Sequence, residues 1–425
     1  MSLAPLVARL RAREMSPREA VEACLGRIEA RRDLNAYITV RSEEALLEAD
    51  ARAEPPLYGA PIAVKDVIGI AGTRMTAASA ILRDNVAARD AEVVARLRAA
   101  GAVVLGTLNL HEFAYGATTT SPHFGPARNP WSPDRICGGS SGGSGAAAAA
   151  DLAAATVGTD TAGSIRIPAA FCGVTGLRPT VGLVPTGGIF PVSRTFDTVG
   201  PIARSAEDCA LLLDALARTR TDLAGGAEGL RIGVVEQLFA QAEPAVAAAA
   251  ERALVDLGAR LEPVSLPLLE DAGAIQQLVM LPEATSIHLP WLRSRLDDYG
   301  HDVRARLLAG LFLPAAGYAN GRRLCRRYRR ELELVFDQVD LLAAPAMPVV
   351  APPIDADAVA YRRRLITFNS PWSLAGVPAA SVPCGFVDGL PVGLALVGRR
   401  HADATVLRAA HAYQQATDWH ERMPP

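Results

Sequence analysis

Apolar positions near the start of the chain recur with two distinct periods. Ser16-Pro17-Arg18-Glu19 is a capping box with proline at the first helical position, and Ala20, Val21, Cys24, Leu25 and Ile28 follow at helical spacing. Asn35–Val40 reads as a short strand and Ser42–Glu54 as a second helix. Tyr58–Asp66 is a mostly apolar strand with Lys65 near its end. Alternation places Lys65 on the face of Ala63 and Val67, and Asp66 on the other, so Asp66 is not automatically its ion-pair partner. A lysine on the apolar face of a buried strand is costly unless it is paired or used. Asp90–Ala100 is an amphipathic helix and Ala102–Asn109 a buried strand. Strand, helix, strand in that order predicts an α/β layer architecture.

Farther on, Ser205–Arg218 opens with a capping serine and two acids, Arg231–Val235 reads as a strand, Pro244–Gly258 as a helix and Arg260–Leu266 as a strand. Leu268–Arg330 reads as largely helical and carries an arginine cluster over Gly321–Arg330, which is expected to be a solvated helix face. Leu341–Ala346, Ala380–Phe386 and Gly393–Gly398 are late strands, with Asp388-Gly389 as a hairpin turn, and Asp403–Arg422 is a closing helix. With no internal repeat and no long linker, residues 1–425 are expected to form a single large α/β domain.

Composition narrows the function. The 425 residues are 50% hydrophobic and 21% charged, with a net charge of −2. That balance gives no electrostatic case for nucleic acid or for a membrane surface. The N-terminus reaches arginines and glutamates before any signal-peptide apolar region, and no run of 18 apolar residues exists, so a cytoplasmic protein is expected. Six scattered cysteines without a CxxC pair read as reduced thiols. No His/Cys/Asp/Glu cluster has ligand spacing, and neither a metal nor another cofactor is expected. Of the 43 basic residues, 42 are arginine and one, Lys65, is lysine. A buried lysine can lose its proton near neutrality, and an arginine cannot.

The richest chemistry sits in Cys137–Pro168, where Gly-Ser turns flank an alanine-rich segment. A linker has the same composition. No lysine follows the glycines, which excludes a Walker A loop, and Asn129–Ile136 is a poor strand for a dinucleotide fingerprint. G-x-S-x-G occurs twice, around Ser140 and around Ser141. A nucleophile elbow also needs a preceding strand and a later acid and histidine. His288, His301, His401, His411 and His420 follow, none in a distinctive setting. A thiol nucleophile at Cys137 or Cys172 would need a histidine partner as well. What remains is a serine activated by a neutral lysine.

The block Gly138–Thr180, together with Lys65–Thr76, Phe124–Gly143 and Phe368–Arg399, resembles the amidase signature family, most densely over about Tyr58–Pro201. The resemblance implies a central mixed β-sheet flanked by helices, with a signature core at about 58–201 and a more variable, largely helical region at about 268–330. It also implies a Ser–cis-Ser–Lys triad, with Lys65 as base, Ser140 as the bridging serine in a cis peptide and Ser164 as nucleophile. The backbone N–H groups of Thr161, Ala162, Gly163 and Ser164 match the family's oxyanion hole, with Ala162 where glycine is frequent. Ser141, Asp160 and Arg166 match residues that brace the site. Ala114, in His111–Tyr115, matches the acyl-site lining. Trp291, Tyr299 and Trp372 are candidate pocket aromatics.

The function expected from this resemblance is an amidase that hydrolyses a carboxylic amide to an acid and ammonia or an amine through an acyl-serine. The length of the chain favours a stand-alone enzyme acting on a small-molecule amide, without nucleic acid or membrane partners and allowing for a homodimer. One alternative is the glutamine-hydrolysing, ammonia-producing subunit of a tRNA-dependent amidotransferase. Another is a Ser-His esterase of the α/β-hydrolase type.

Overall fold

The apolar strand runs build one twisted sheet. A computed structural model describes residues 1–50, 56–356 and 358–425. Its eleven-stranded sheet comprises β1 (Tyr37–Val40), β2 (Pro61–Lys65), β3 (Val103–Leu108), β4 (Ala155–Asp160), β5 (Thr175–Arg178), β6 (Thr198–Ala203), β7 (Arg231–Val235), β8 (Arg260–Val264), β9 (Leu341–Pro345), β10 (Ala379–Val387) and β11 (Leu390–Gly398). The order is β1-β3-β2-β4-β6-β5-β10-β11-β9-β7-β8. Parallel pairs β3–β2–β4 and β9–β7–β8 lie on either side of an antiparallel middle, which makes the sheet mixed. The Asp388-Gly389 turn has both residues at positive φ, 51° and 75°, as a two-residue hairpin of this kind requires.

Strands β2, β3 and β4 are buried along their whole length, which is why they read as apolar runs without a polar face. The parallel register of β2 on β4 pairs Val64 with Val157. Lys65 and Thr159–Asp160 therefore emerge at the same end of adjacent strands. Helix α1 (Gly142–Ala149), made of glycine, serine and alanine, is buried at every residue behind them. Its composition suits its position: a Cβ on Gly143 would come within 2.5 Å of the Ala36 and Asn109 carbonyl oxygens. Helix α2 (Arg166–Cys172) follows the second Gly-Ser turn and is likewise buried.

The region after β8 folds as α3 (Ala272–Ser294), α4 (His301–Leu311) and α5 (Ala315–Phe336), and α6 (Ala358–Thr367) joins them. They cap the sheet end that carries Lys65. Arg322, Arg323, Arg326, Arg327 and Arg330 of α5 face solvent, while Cys325, Tyr328, Leu332 and Phe336 face inward, as a 3.6-residue period dictates.

Three elements differ from the sequence reading. Ser132–Ile136 is a strand after all, paired with Arg128–Asn129 in a small ribbon whose partly exposed edge accommodates Pro133. The helix expected over Ser42–Glu54 is seen over Ser42–Asp50, and its last four residues lie outside the described residues. The closing helix ends at Ala416, followed by a single 3₁₀ turn at Trp419–Glu421.

Candidate active site

Lys65 is fully buried, and its Nζ donates to Ser140 Oγ at 2.7 Å and to Thr159 Oγ1 at 2.9 Å. Burial lowers its pKa to about 7, against the opposing pull of Asp160 and Asp197. At that value a large fraction of the amine is neutral at physiological pH and able to take a proton. Asp66 points away and accepts from the Thr76 backbone N–H at 2.9 Å and from the Thr76 hydroxyl. The Gly139–Ser140 peptide is cis. Around it, the Ser140 carbonyl accepts from the His111 N–H at 3.1 Å, and the Ser141 N–H donates to the Ser164 carbonyl at 3.2 Å. The two serine turns are thus joined through their main chains. Ser141 Oγ donates to the Thr159 carbonyl at 3.1 Å, consistent with a bracing position.

Ser164 is 8% exposed and lines a narrow cavity of about 30 Å³ with Ala114, Ala162, Ile167, Met280 and Arg362. Its hydroxyl makes no hydrogen bond to any described residue. Asp160 holds the loop that carries it. One carboxylate oxygen accepts from the Gly163 N–H at 2.8 Å and the other from the Ile165 N–H at 3.1 Å. Arg166 and Arg178 pair with the same carboxylate at 3.0 and 2.9 Å. Burial alone would raise the Asp160 pKa, but the two guanidiniums and the amide donors hold it well below the usual carboxylate range. The Gly163 N–H is therefore committed to Asp160 and withdrawn from the expected oxyanion hole. The donors left free of intramolecular partners, among the described residues, are the N–H groups of Thr161, Ala162 and Ser164. Gly163 contributes conformation instead: its φ is +121°, and a Cβ there would meet the Asn369 Cβ at 2.7 Å.

Among the described residues no histidine side chain hydrogen-bonds to the hydroxyl of Ser140, Ser141 or Ser164. His288 packs among Phe113, Phe190, Trp291 and Tyr299, bonds to the Tyr299 hydroxyl at 3.0 Å, and is driven by burial to a pKa of about 4. Trp291 and Tyr299 belong to that aromatic cluster and Trp372 is fully buried, so none of the three lines the cavity. All six cysteines are buried and free. Among the described residues no group of three or more His, Cys, Asp or Glu side chains could hold a metal, and no helix is long and apolar enough to cross a membrane.

The sequence profile of the amidase family matches residues 19–407. The chain belongs to the amidase signature family. It is 41% identical to a glutamyl-tRNA(Gln) amidotransferase subunit of Roseiflexus sp. strain RS-1, over 97% of this chain and 95% of that one. An inhibitor-bound structure of a vestigial protein complex, bearing on the origins of an s-triazine catabolic enzyme, superposes with a TM-score of 0.93 at 37% identity, covering 98% of each chain. The corresponding glutamyl-tRNA(Gln) amidotransferase subunit of Thermotoga maritima gives a TM-score of 0.83 at 33% identity, covering 98% of this chain and 94% of that one. Membership makes the chain an amide C–N hydrolase on a single large α/β fold with a mixed central sheet.

Two expectations are corrected by these relatives. Length does not set the chain apart from amidotransferase subunits, since it spans nearly the whole of the Roseiflexus relative. The expectation of a small-molecule enzyme without nucleic acid is likewise overturned, because relatives at about 40% identity are named for glutamyl-tRNA and as subunits.

Sequence reasoning missed several of the groups that surround Lys65 and the Ser164 loop. Thr159, the second partner of Lys65, and Arg178, the second partner of Asp160, come from β4 and β5. Asp197 accepts from Thr161 Oγ1 at 2.6 Å and from the N–H groups of Val192 and Ser193, and burial raises its pKa to about 6. Gln276 of α3 donates to the Thr161 carbonyl at 2.9 Å. Only a strand register could have found Asp197, through its neighbour Thr198, which pairs with Asp160.

Proposed function

We propose that this amidase-family chain releases ammonia from the side-chain amide of glutamine, as the hydrolytic subunit of a tRNA-dependent amidotransferase, through an acyl intermediate on Ser164. The relatives named as glutamyl-tRNA(Gln) amidotransferase subunits support the biological role. The observation that carries the chemistry is the buried Lys65 amine at 2.7 Å from Ser140 Oγ with its pKa near neutrality. Neutral Lys65 takes the proton of Ser140, and Ser140 takes that of Ser164 as Ser164 Oγ attacks the amide carbon. The N–H groups of Thr161, Ala162 and Ser164 receive the developing oxyanion, a kind of donor whose loss typically costs about 3 kcal/mol of transition-state stabilisation. The proton returns through Ser140 to the departing nitrogen, and water cleaves the acyl ester by the reverse path. Asp160, Arg166 and Ser141 keep the two serine turns in place.

The test is mass spectrometry of the chain quenched during turnover of glutamine, alone and with amidotransferase partner subunits and glutamyl-tRNA. The expected result is an acyl adduct on Ser164 and ammonia release that rises with the partners present. An adduct on Ser140 or Ser141 would refute the assignment of the nucleophile. The higher TM-score with the vestigial complex favours a second reading, amide hydrolysis in a different assembly. Ammonia release unaffected by glutamyl-tRNA would select it.

A further inference from the structure

The net charge of −2 averages over the whole chain and hides a local concentration. Gly321–Arg330 of α5 carries six arginines and no acid. Much of that stretch is a solvated helix face, but Arg322 and Arg329 lie about two turns apart on one side of the helix and reach a shared cleft of about 540 Å³. Arg194, from the segment between β5 and β6, and Arg400, just after β11, line the same cleft. Three stretches distant in sequence thus bring four guanidiniums to one place.

Three of these arginines are anchored there by neutral groups. Arg322 Nη1 donates to the Thr195 and Tyr318 hydroxyls, both at 3.0 Å. Arg329 Nε donates to the Leu374 carbonyl at 3.2 Å. Arg400 donates from Nη2 to the Val181 carbonyl at 3.1 Å and from Nε to His401 Nε2 at 3.3 Å. One carboxylate joins the lining, that of Glu283 on α3, 3.6 Å from Arg322 Nη1. Its oxygens also accept from the hydroxyls of Ser193 at 2.5 Å, Thr195 at 2.6 Å and Tyr318 at 3.0 Å. Burial lowers the pKa of Arg329, and the charges of Arg400 and Arg322 lower it further. Four cations beside one carboxylate concentrate positive potential in the cleft, and an anion between them relieves their mutual repulsion.

We propose that this cleft binds a phosphate group. It shares no lining residue with the cavity at Ser164, so the proposal stands apart from the reading of Ser164 as nucleophile. A guanidinium meets an anion with two parallel N–H donors, and charge-assisted bonds of this kind are the stronger class. A carboxylate brings one charge and two oxygens in a plane. A phosphate presents its oxygens tetrahedrally, which suits arginines converging from three stretches of chain. Two sources carry that group, the backbone of an RNA and a small free phosphate compound.

The test uses the full chain with two probes, inorganic phosphate by calorimetry and a tRNA transcript by fluorescence anisotropy over a salt series. Arg322→Gln with Arg400→Gln is expected to weaken phosphate binding about 10-fold or more, whereas Arg323→Gln with Arg326→Gln, outward on the same helix, changes it less than two-fold. Should the first pair not fold, Arg194→Gln with Arg400→Gln, both exposed, repeats the measurement. Loss of tRNA affinity in the cleft variants, with the slope of log K against log salt reduced by about 2, upholds the site and makes RNA the source. Unchanged tRNA affinity beside lost phosphate binding upholds the site for a small phosphate compound. The proposal is overturned if neither probe responds to the cleft pair, if both respond as strongly to the outward pair, or if acetate binds the cleft as tightly as phosphate.

Discussion

The signature core and the helical cap place polar groups differently. In the core, Lys65, Ser140, Ser141, Asp160, Arg166 and Arg178 are all buried, and each is held by named partners. Buried polar networks are tolerated when their members are satisfied, and they then fix a single geometry. The cap meets the cavity with Met280, Arg362 and Ile366, and Arg322, Arg323, Arg326, Arg327 and Arg330 of α5 face solvent. In the core, Lys65, Asp160, Arg166 and Arg178 are each tied by more than one hydrogen bond. The cap supplies part of the cavity lining and stands apart from the network around Lys65 and Asp160.

The sharpest challenge to that contrast is Lys65→Arg, which keeps the charge and removes the base. It is expected to lower kcat on glutamine by about 10⁴-fold or more, as losses of single members of acting units do, read by ammonia release from a chain with unchanged circular dichroism. A related expectation concerns pH. The base must be neutral, and its folded pKa is about 7, below the ordinary 10.5. Activity should therefore be gained as pH rises through about 7, and an ascending limb displaced above 9 would contradict the assignment.

Asp160→Asn probes the core as structure. It leaves Arg166 and Arg178 buried with their counter-charge removed, and such a loss typically costs about 3–5 kcal/mol, to be read from denaturant midpoints. A cost below 1 kcal/mol would show that the network is less buried than it looks. Gly163→Ala comes next: strain at φ +121° and contact with Asn369 should lower kcat roughly 10- to 100-fold with a stability loss of only about 1–3 kcal/mol. The smallest effect belongs to the seam between the two regions. Gln276→Ala removes the cap's bond to the Thr161 carbonyl and should cost about 1 kcal/mol, seen as a several-fold fall in kcat. An effect as large as that of Gly163→Ala would mean that the cap takes part in positioning the oxyanion loop, and the contrast between regions would have to be softened.

Much of the core was legible because its chemistry is written contiguously. Ser140, Asp160, Ser164 and Arg166 fall within 27 residues, and the lone lysine points to itself against 42 arginines. What was hidden came through the sheet. Arg178 reaches Asp160 from β5, and Asp197 stands beside Thr198, whose pairing with Asp160 is a matter of antiparallel register. The commitment of the Gly163 N–H to Asp160 depends on loop geometry that composition cannot express. Arg362 was hidden for a different reason: in a chain with 42 arginines, nothing local marks the one that lines the cavity at Ser164.

That scarcity of lysine gives the molecule a built-in reporter. A lysine-specific endoprotease finds one scissile bond in the whole chain, Lys65–Asp66, at the end of a fully buried strand between two parallel neighbours. Local fraying of helices or loops elsewhere leaves it out of reach. Its cutting therefore requires the central sheet to open, and the rate at which fragments 1–65 and 66–425 appear reads that opening directly. The residue proposed to move protons in the folded enzyme thereby also marks the moment the fold gives way.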